Sequence, residues 1–295
     1  MDILEDIKRS FREGDALTKL ILANLTVFVL VLLLKIFSFL LQTNILYWFI
    51  EFTALPSYLP KLATRPWTFF TYMFLHEGFL HILFNMLWLF FAGRLFMEYL
   101  GGKRLMNVYL LGGLIGGLLY VIFYNVFPSF RDVLIDSNNR GASAGVMAIV
   151  VAIATYRPQY PVKLFFVINV PLWGVAALAL LLDLTNLGEG VNAGGHIAHL
   201  GGAAFGFLFA RQILAGKDIT TWFGKIMDSI VNLFKRKPKV RKVYSNKRRM
   251  SDATFNQQKA ADKDRMDQIL DKISRSGYDS LSKDEKDFLF KIGKE

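Results

Sequence analysis

A serine between small residues and four histidines are the side chains of this sequence that offer the most chemistry. Ser143 lies in the run Gly-Ala-Ser-Ala-Gly, which opens an apolar segment. The histidines form two pairs, His76 with His81 and His196 with His199, and each pair lies in or beside another apolar segment. Polar groups inside a membrane are costly and usually serve a function. The combination indicates hydrolytic chemistry carried out inside a bilayer.

Ser143 is predicted at a helix N-terminus, because the preceding segment Asp132–Arg140 is a polar loop and not a strand. Backbone N–H groups are unpaired at a helix N-terminus, and the helix dipole favours negative charge there. These donors could stabilise an oxyanion that forms against the serine. The alternative is that Ser143 is only an N-cap whose small neighbours serve helix packing.

A serine nucleophile needs a base within about 3 Å, which forces two helix backbones close together. Small residues follow His199 at i+3, i+4 and i+7, namely Gly202, Ala203 and Gly206, and they permit this approach. The corresponding positions after His196 are bulkier. We therefore predict His199 as the general base and His196 as a surface or loop-contact residue.

His81 and Asn85 are four residues apart and so share one helix face. Both side chains can donate hydrogen bonds, which suits the stabilisation of an oxyanion formed against Ser143. Asn85 alone would equally suit a contact between packed helices. His76 lies before the apolar run, and we assign it no chemistry.

The chain is predicted to be an all-α membrane protein with a bundle of six transmembrane helices. It has 295 residues, of which 53% are hydrophobic, and no cysteine, which excludes disulfides and thiol chemistry. Apolar runs of about 20 residues indicate membrane spans. The mixed-charge start, Met1–Lys19, is not a cleavable signal peptide, so the first span is expected to be an uncleaved anchor. The predicted spans are Leu20–Leu41, His81–Leu100, Leu105–Phe127, Ser143–Tyr156, Leu164–Leu187 and His196–Leu214. Pro171 is expected either to kink the fifth span or to end a short interfacial segment before it.

The distribution of basic residues orients this bundle. Lysines and arginines lie in the N-terminal segment and in the short loops after the second and fourth spans, whereas the loop Gly188–Gly195 has none. Both termini are therefore expected to face the cytoplasm. His81, Ser143 and His199 then each begin an even-numbered span, near the same extracytoplasmic face.

Four parts are expected along the chain: a cytoplasmic amphipathic segment (1–19), the six-span domain (20–214), an interfacial helix with a polybasic linker (215–250) and a cytoplasmic helical tail (251–295). Apolar residues at helical spacing predict the interfacial helix; they are Ile219, Trp222, Phe223, Ile226, Met227, Ile230 and Leu233.

Most of the net charge of +11 follows that helix, largely in the polybasic run Lys235–Arg249. Such a run beside a span is expected to meet anionic lipid headgroups, and a nucleic-acid partner is not expected. In the tail, Ser282-x-x-Glu285 predicts a capping box after a break at Gly277. The tail is either a helical hairpin or a partner-binding segment.

Three motifs together resemble the rhomboid family of intramembrane serine proteases. They are His76–Asn85 followed by Gly93–Gly101, the Gly-Ala-Ser-Ala-Gly run, and His199-x-x-Gly202-x-x-x-Gly206. The resemblance covers roughly Leu20–Leu214. Six spans with cytoplasmic termini are the family's basic bacterial architecture, so the resemblance implies a bacterial inner-membrane protein.

The resemblance also implies roles for the residues. Ser143 would be the nucleophile and His199 the general base, with no third carboxylate and no cofactor or metal. His81, Asn85 and the backbone N–H of Ser143 would form the oxyanion hole. The implied substrates are single-span membrane proteins, which enter laterally from lipid and are cut near the outer end of their span.

The sequence departs from the family pattern at three places. The family often has an aromatic residue four positions after the serine, where this chain has Met147, so we expect a less firmly oriented imidazole. The Trp-Arg pair of the family's first loop is Trp67-Thr68 here, with Arg65 two residues earlier. The tail after Gly216 is not part of the minimal catalytic core.

Three other functions compete with proteolysis. A catalytically silent relative could bind transmembrane clients, although such relatives generally lack the serine or the histidine that this chain has. The four histidines could in principle ligate a metal or haem, but that leaves Ser143 and Asn85 unexplained. A transporter is disfavoured because no paired charged residue is expected within a span and no inverted repeat is visible.

Overall fold

The computed structural model describes residues 13–164, 168–190, 192–234 and 252–292. It divides into two compact units, Met1–Lys235 and Arg236–Glu295. Most of the predicted N-terminal segment (1–12) and all of the polybasic run Lys235–Arg249 lie outside the described residues.

The first unit begins with a long apolar helix and a structured loop. Helix α1 (Ala16–Leu40) starts four residues before the predicted span, because Asp15 caps it by accepting a 2.7 Å hydrogen bond from the Thr18 N–H. The loop that follows contains α2 (Ile45–Thr53), β1 (Leu55–Pro56), α3 (Leu59–Thr64), α4 (Thr68–Thr71) and a 3-10 turn (Tyr72–Phe74).

The remaining elements of this unit build the bundle. They are α5 (Phe79–Leu100), α6 (Gly102–Val126), a 3-10 turn (Pro128–Val133), β2 (Asn138–Asn139), α7 (Ser143–Tyr156), β3 (Pro161–Leu164), β4 (Ile168–Pro171), α8 (Leu172–Gly188), α9 (Ala193–Leu214) and α10 (Thr221–Phe234). Among the described residues, α1, α5, α6 and α9 are long and apolar enough to cross a membrane. Helices α7 and α8 are shorter apolar helices of 14 and 17 residues.

The predicted start of the fifth span at Leu164 is wrong, whereas the alternative that Pro171 ends a separate segment before the span agrees with the structure. Strands β3 and β4 form an antiparallel hairpin in which Val162 pairs with Val170, and α8 begins only after Pro171. A short apolar run does not distinguish a strand from a buried helix by its periodicity. Pro171 lacks an N–H and therefore lies at the N-cap, where the helix needs none.

Helix α7 is the centre of the bundle, with nearly every side chain buried. Glycines of α9 bring the two backbones into contact: a Cβ at Gly202 would lie 2.0 Å from the Ala144 carbonyl oxygen, and one at Gly206 would lie 2.2 Å from that of Ala148. From α6, a Cβ at Gly112 would lie 2.3 Å from the Cβ of Ala148. The predicted small-residue face after His199 is thus confirmed as a contact surface between helices.

A strand pair and a backbone hydrogen bond connect the first loop to the residues before α7. Strand β1 pairs with β2, so that Leu55 lies opposite Asn139 and Pro56 opposite Asn138. The Gly141 N–H donates a 2.9 Å hydrogen bond to the Tyr72 carbonyl. Two residues of the predicted polar loop therefore form a strand, and hydrogen bonds hold the chain just before Ser143.

The second unit is a pair of helices, α11 (Asp252–Ser276) and α12 (Lys283–Ile292), with a 3-10 turn (Tyr278–Ser280) between them. The predicted capping box is present, since the Ser282 N–H donates to Glu285 at 2.7 Å and the Glu285 N–H donates to the Ser282 hydroxyl at 3.3 Å. The Lys272 ammonium pairs with Glu285 at 2.9 Å, and the Arg265 guanidinium lies 4.5 Å from the centre of the Phe288 ring. The helices pack on each other as a helical hairpin.

Candidate active site

Ser143 lies at the first helical position of α7, as the sequence predicts. Ala142 holds the N-cap position and no side chain caps this helix, so the alternative role of Ser143 as the N-cap is wrong. The first N–H groups of a helix have no partner within the helix, so the start of α7 offers such donors beside the serine. In the described part of the chain the Ser143 hydroxyl has no hydrogen-bond partner.

The turn before the serine requires glycine at position 141. Gly141 has a φ of +132°, a conformation that side chains rarely allow. A Cβ there would lie 2.9 Å from Cε1 and 3.0 Å from Nε2 of His81, and 3.7 Å from the Ser143 hydroxyl oxygen. The histidine ring and the serine hydroxyl therefore face the same small volume beside the Gly141 backbone.

His76, which was assigned no role, supports this turn. Its side chain is fully buried, and its Nε2 accepts a hydrogen bond of 3.4 Å from the Ala142 N–H. Burial, together with the nearby His81, lowers the pKa of His76 to about 4. The imidazole is therefore neutral near pH 7 and can accept this bond. The sequence around His76 does not predict this bond, because Ala142 lies 66 residues further along the chain.

His81 and Asn85 lie one turn apart on α5, on the face that the spacing predicts. The Asn85 amide is buried and donates one hydrogen to the His81 carbonyl at 2.9 Å. Among the described residues its second N–H has no acceptor, and it can donate to another group. The His76 and His81 rings lie 5.0 Å apart between centroids.

One cavity of about 850 Å³ collects the predicted residues. Ser143, His199, His81 and Asn85 all line it, and so does Met147, one turn after the serine. The glycine contacts of α9 explain this convergence. His199 lies one turn before Gly202, which touches the backbone next to Ser143, so the serine and the histidine lie at the same level of the bundle.

The sequence predictions missed Asp183 on α8, which also lines the cavity. Its Oδ1 lies 2.9 Å from Nδ1 of His199 and 2.6 Å from Nδ1 of His196. An aspartate in the middle of an apolar helix was a signal in itself, since intramembrane ionisable groups usually have a partner and a function. The expectation of no paired charge within a span is therefore wrong.

Two further predictions about the histidines need correction. His196 is not a surface or loop-contact residue, because its side chain is only 12% exposed and is bonded to Asp183. Among the described residues, the group whose possible ligand atoms lie within 4.8 Å of one another is Asp183, His196 and His199, not the four histidines. The sequence does not predict this group, because Asp183 lies on α8 and the two histidines lie on α9. The three side chains meet only when these helices pack together.

The aspartate fixes which nitrogen of His199 carries the proton. An ionised carboxylate only accepts hydrogen bonds, so each histidine donates from Nδ1–H. The Nε2 of His199 is then unprotonated and able to accept a proton. A serine, a nitrogen base and hydrogen-bond donors around one cavity are the components of nucleophilic acyl transfer.

The first loop is held together by contacts among its own residues, in spite of its departure after Trp67. The Trp67 indole N–H donates a 2.8 Å bond to the Phe52 carbonyl, and the two rings lie 4.8 Å apart. Arg65 pairs with Glu51 at 3.2 Å, and Lys61 pairs with the same carboxylate. Burial raises the pKa of Glu51, but the hydrogen bonds and charges of Lys61 and Arg65 outweigh burial and hold it below its usual value.

Comparison with known proteins gives two family matches. The model of the rhomboid domain matches residues 63–216, which is more than half of the chain. A family of unknown function (DUF6576) matches residues 251–294, the helical hairpin.

Individual relatives are similar over shorter stretches. The "RHOMBOID-like protein 12, mitochondrial" of Arabidopsis thaliana is 29% identical over 158 residues, which are 51% of this chain and 47% of that protein. The "Rhomboid protease GlpG" of Salmonella newport is 34% identical over 58 residues, 20% of this chain and 21% of that protein. The chain thus spans about half the length of the first relative and about a fifth of the second. With the matched domain, the apolar helices and the all-α bundle together, the chain belongs to the rhomboid family and is an integral membrane protein.

Proposed function

We propose that this chain is an intramembrane serine endopeptidase, with Ser143 as nucleophile and His199 as general base. Its substrates are single-span membrane proteins, cut near the outer end of the span. The observation that carries the proposal is the single cavity lined by Ser143, His199, His81 and Asn85. Two similar proteins with rhomboid names, one of them named a protease, support it.

Each residue of the site has its own role in the proposed reaction. As the Ser143 oxygen attacks the carbonyl carbon of the scissile bond, its proton passes to Nε2 of His199. The carbonyl oxygen becomes an oxyanion, which accepts hydrogen bonds from His81, the free N–H of Asn85 and the backbone N–H of Ser143. The imidazolium then gives its proton to the leaving amine, and an acyl-enzyme remains. Water activated by the same histidine releases the second product.

The Ser143–His199 hydrogen bond is expected to form when substrate binds. Catalytic hydrogen bonds are often long in free enzymes and shorten in the complex. Each oxyanion donor is expected to contribute about 3 to 4 kcal/mol to stabilisation of the transition state.

The cavity wall supports lateral entry of a transmembrane substrate. It is formed by apolar side chains of two helices, α5 and α8, and these side chains are 40–57% exposed; they are Phe84, Trp88, Leu178 and Leu182. Exposed apolar side chains on a span face lipid without penalty. A substrate helix arriving between α5 and α8 would therefore exchange lipid contacts for similar contacts with protein.

The proposed location is a bacterial inner membrane, with both termini in the cytoplasm and the active site toward the outer face. Helix α10 has an apolar face, partly buried at Phe223 and exposed at Trp222 and Ile226, which suits the cytoplasmic leaflet. The basic run after it would meet anionic headgroups.

Single cysteines introduced at Ser129 and at Lys217 test the proposed orientation, because the chain has no cysteine of its own. An impermeant maleimide should label only the first in intact cells, and the reverse pattern would contradict the orientation.

Labelling by a fluorophosphonate tests the activity. The full chain in detergent should be labelled, and Ser143→Ala and His199→Ala should both abolish labelling. Ser129→Ala, at an exposed serine outside the cavity, is the matched control and should be labelled like the native chain. Failure of the folded native chain to react, or labelling that survives Ser143→Ala, would contradict the proposal and favour a catalytically silent protein that binds transmembrane clients.

A further inference from the structure

We infer that Asp183 is a positioning residue for His199 and supports the proposed pair of Ser143 and His199 as a third member of the site. The inference rests on the proposed function and adds to it. Asp183 does not touch the reacting atoms. Its proposed part is to hold the imidazole of His199 in the orientation and tautomer that proton transfer requires.

The geometry supports this assignment directly. Asp183 lies on α8 and its side chain is 7% exposed, while His199 lies on α9. The Nδ1–Oδ1 distance of 2.9 Å is that of a charge-assisted hydrogen bond. Because Nδ1 is occupied, Nε2 is the nitrogen available to Ser143. A ring held at one nitrogen has lost the rotation that would move the other away from the serine.

The carboxylate also stabilises the charge that develops during reaction. When His199 accepts the serine proton it becomes an imidazolium, and the adjacent negative charge of Asp183 favours that state. The interaction is stronger in the transition state than in the ground state, as a catalytic contribution must be.

Helix packing alone does not account for an aspartate at this position. In the described part of the chain, Oδ2 of Asp183 is buried without a hydrogen-bond partner. A buried charge with an unsatisfied oxygen is unfavourable, and an apolar side chain of similar size would usually give a more stable contact. The arrangement is therefore better explained by the chemistry of His199 than by stability.

His196 provides the internal control. It donates to the same oxygen at 2.6 Å, but it does not line the cavity that holds Ser143. If Asp183 were only a clamp between α8 and α9, the rate of each variant would follow its loss of thermal stability. If Asp183 acts through His199, its loss should slow the reaction far more than loss of His196.

A metal site is the other chemistry that this cluster offers. Two histidines and an aspartate are suitable zinc ligands. The 2.6 Å separation of the His196 nitrogen from the Asp183 oxygen is, however, a hydrogen-bond distance, and it is short for two ligands on one ion. The observed geometry favours a protonated Nδ1, which cannot ligate a metal.

The experiment compares the inactivation kinetics of the full chain with those of Asp183→Asn and His196→Ala, using a fluorophosphonate in detergent. We expect Asp183→Asn to lower the maximal inactivation rate by roughly 100-fold, with the half-saturating probe concentration within about threefold of native. His196→Ala should keep a rate within about threefold of native. Thermal unfolding is measured on all three proteins.

Rate losses in Asp183→Asn and His196→Ala that follow their losses of thermal stability would overturn the inference in favour of a clamp. A native rate in Asp183→Asn would overturn it as well, while leaving the proposed protease intact. If the native chain does not react, the proposed function itself has failed. Stoichiometric zinc in the native protein, lost in both variants, would identify a metal site and also overturn the inference.

A second variant keeps the test usable if Asp183→Asn does not fold. Asp183→Ser leaves space for a small carboxylate, and added formate should raise its inactivation rate. The same formate should not accelerate His199→Ala. A folded Asp183→Ser protein whose rate formate leaves unchanged would overturn the inference.

Discussion

Substitution of Gly202 by alanine tests whether helix contact sets the geometry of the site. A Cβ at this position would lie 2.0 Å from the Ala144 carbonyl oxygen and 2.8 Å from the Ala144 carbonyl carbon. Both neighbours are backbone atoms and cannot rotate away. Helices α7 and α9 must therefore separate by about 1.4 Å to bring the first contact to an ordinary 3.4 Å.

This separation would occur at the level of Ser143 and His199, the two proposed catalytic residues. Ser143 precedes Ala144, and His199 lies one turn before Gly202, so the distance between nucleophile and base should grow by a similar amount. A misplacement of about 1 Å can lower a rate by roughly 100-fold. Overpacking should also lower the free energy of unfolding by about 1 to 3 kcal/mol.

The assay is fluorophosphonate labelling together with thermal unfolding of the same preparations. Gly188→Ala is the matched control, because a Cβ at this helical position of α8 meets nothing within 4 Å; it should change neither quantity. We expect Gly202→Ala to react about 100 times more slowly at a temperature where it is still folded. Native labelling in a folded Gly202→Ala protein would refute the link between glycine contact and dyad geometry.

Two further predictions concern the support of the site. Because the pKa of His76 is about 4 in the folded chain and about 6.5 in the unfolded chain, the unfolded state binds more protons between these values. Stability should therefore fall by about 2 kcal/mol between pH 7.5 and pH 5. His76→Gln should remove that part of the pH dependence of thermal unfolding, and an unchanged pH dependence would contradict the assignment. Met147→Tyr should raise the labelling rate about 2- to 10-fold, because an aromatic ring in the cavity can stack on the imidazole of His199; an equal or lower rate would contradict this prediction.

Much of the bundle could be predicted because its signals are local. A span needs an uninterrupted apolar run of a certain length, and the predicted starts and ends of α5, α6 and α9 lie within about three residues of the observed ones. The close approach of α9 to α7 was likewise contained in the spacing of Gly202 and Gly206, since only small residues permit backbone contact.

The fifth span shows where local signals fail. The apolar segment around Val162 and Val170 favours strand and buried helix alike, and only the pairing of β3 with β4 decides between them. Both β3 and β4 lie in this one apolar segment. The composition of the segment therefore does not show that the two strands pair.

The polar contacts of the site needed the tertiary structure. His76 bonds to the backbone 66 residues away, and Asp183 bonds to histidines 13 and 16 residues further along the chain. The sequence alone determined which residues could react and which helices carry them, because residue type and apolar length are properties of short segments. Which groups support His199 and the turn before Ser143 was decided only by packing, because a hydrogen bond depends on distance and direction between atoms that the chain brings together only when it folds.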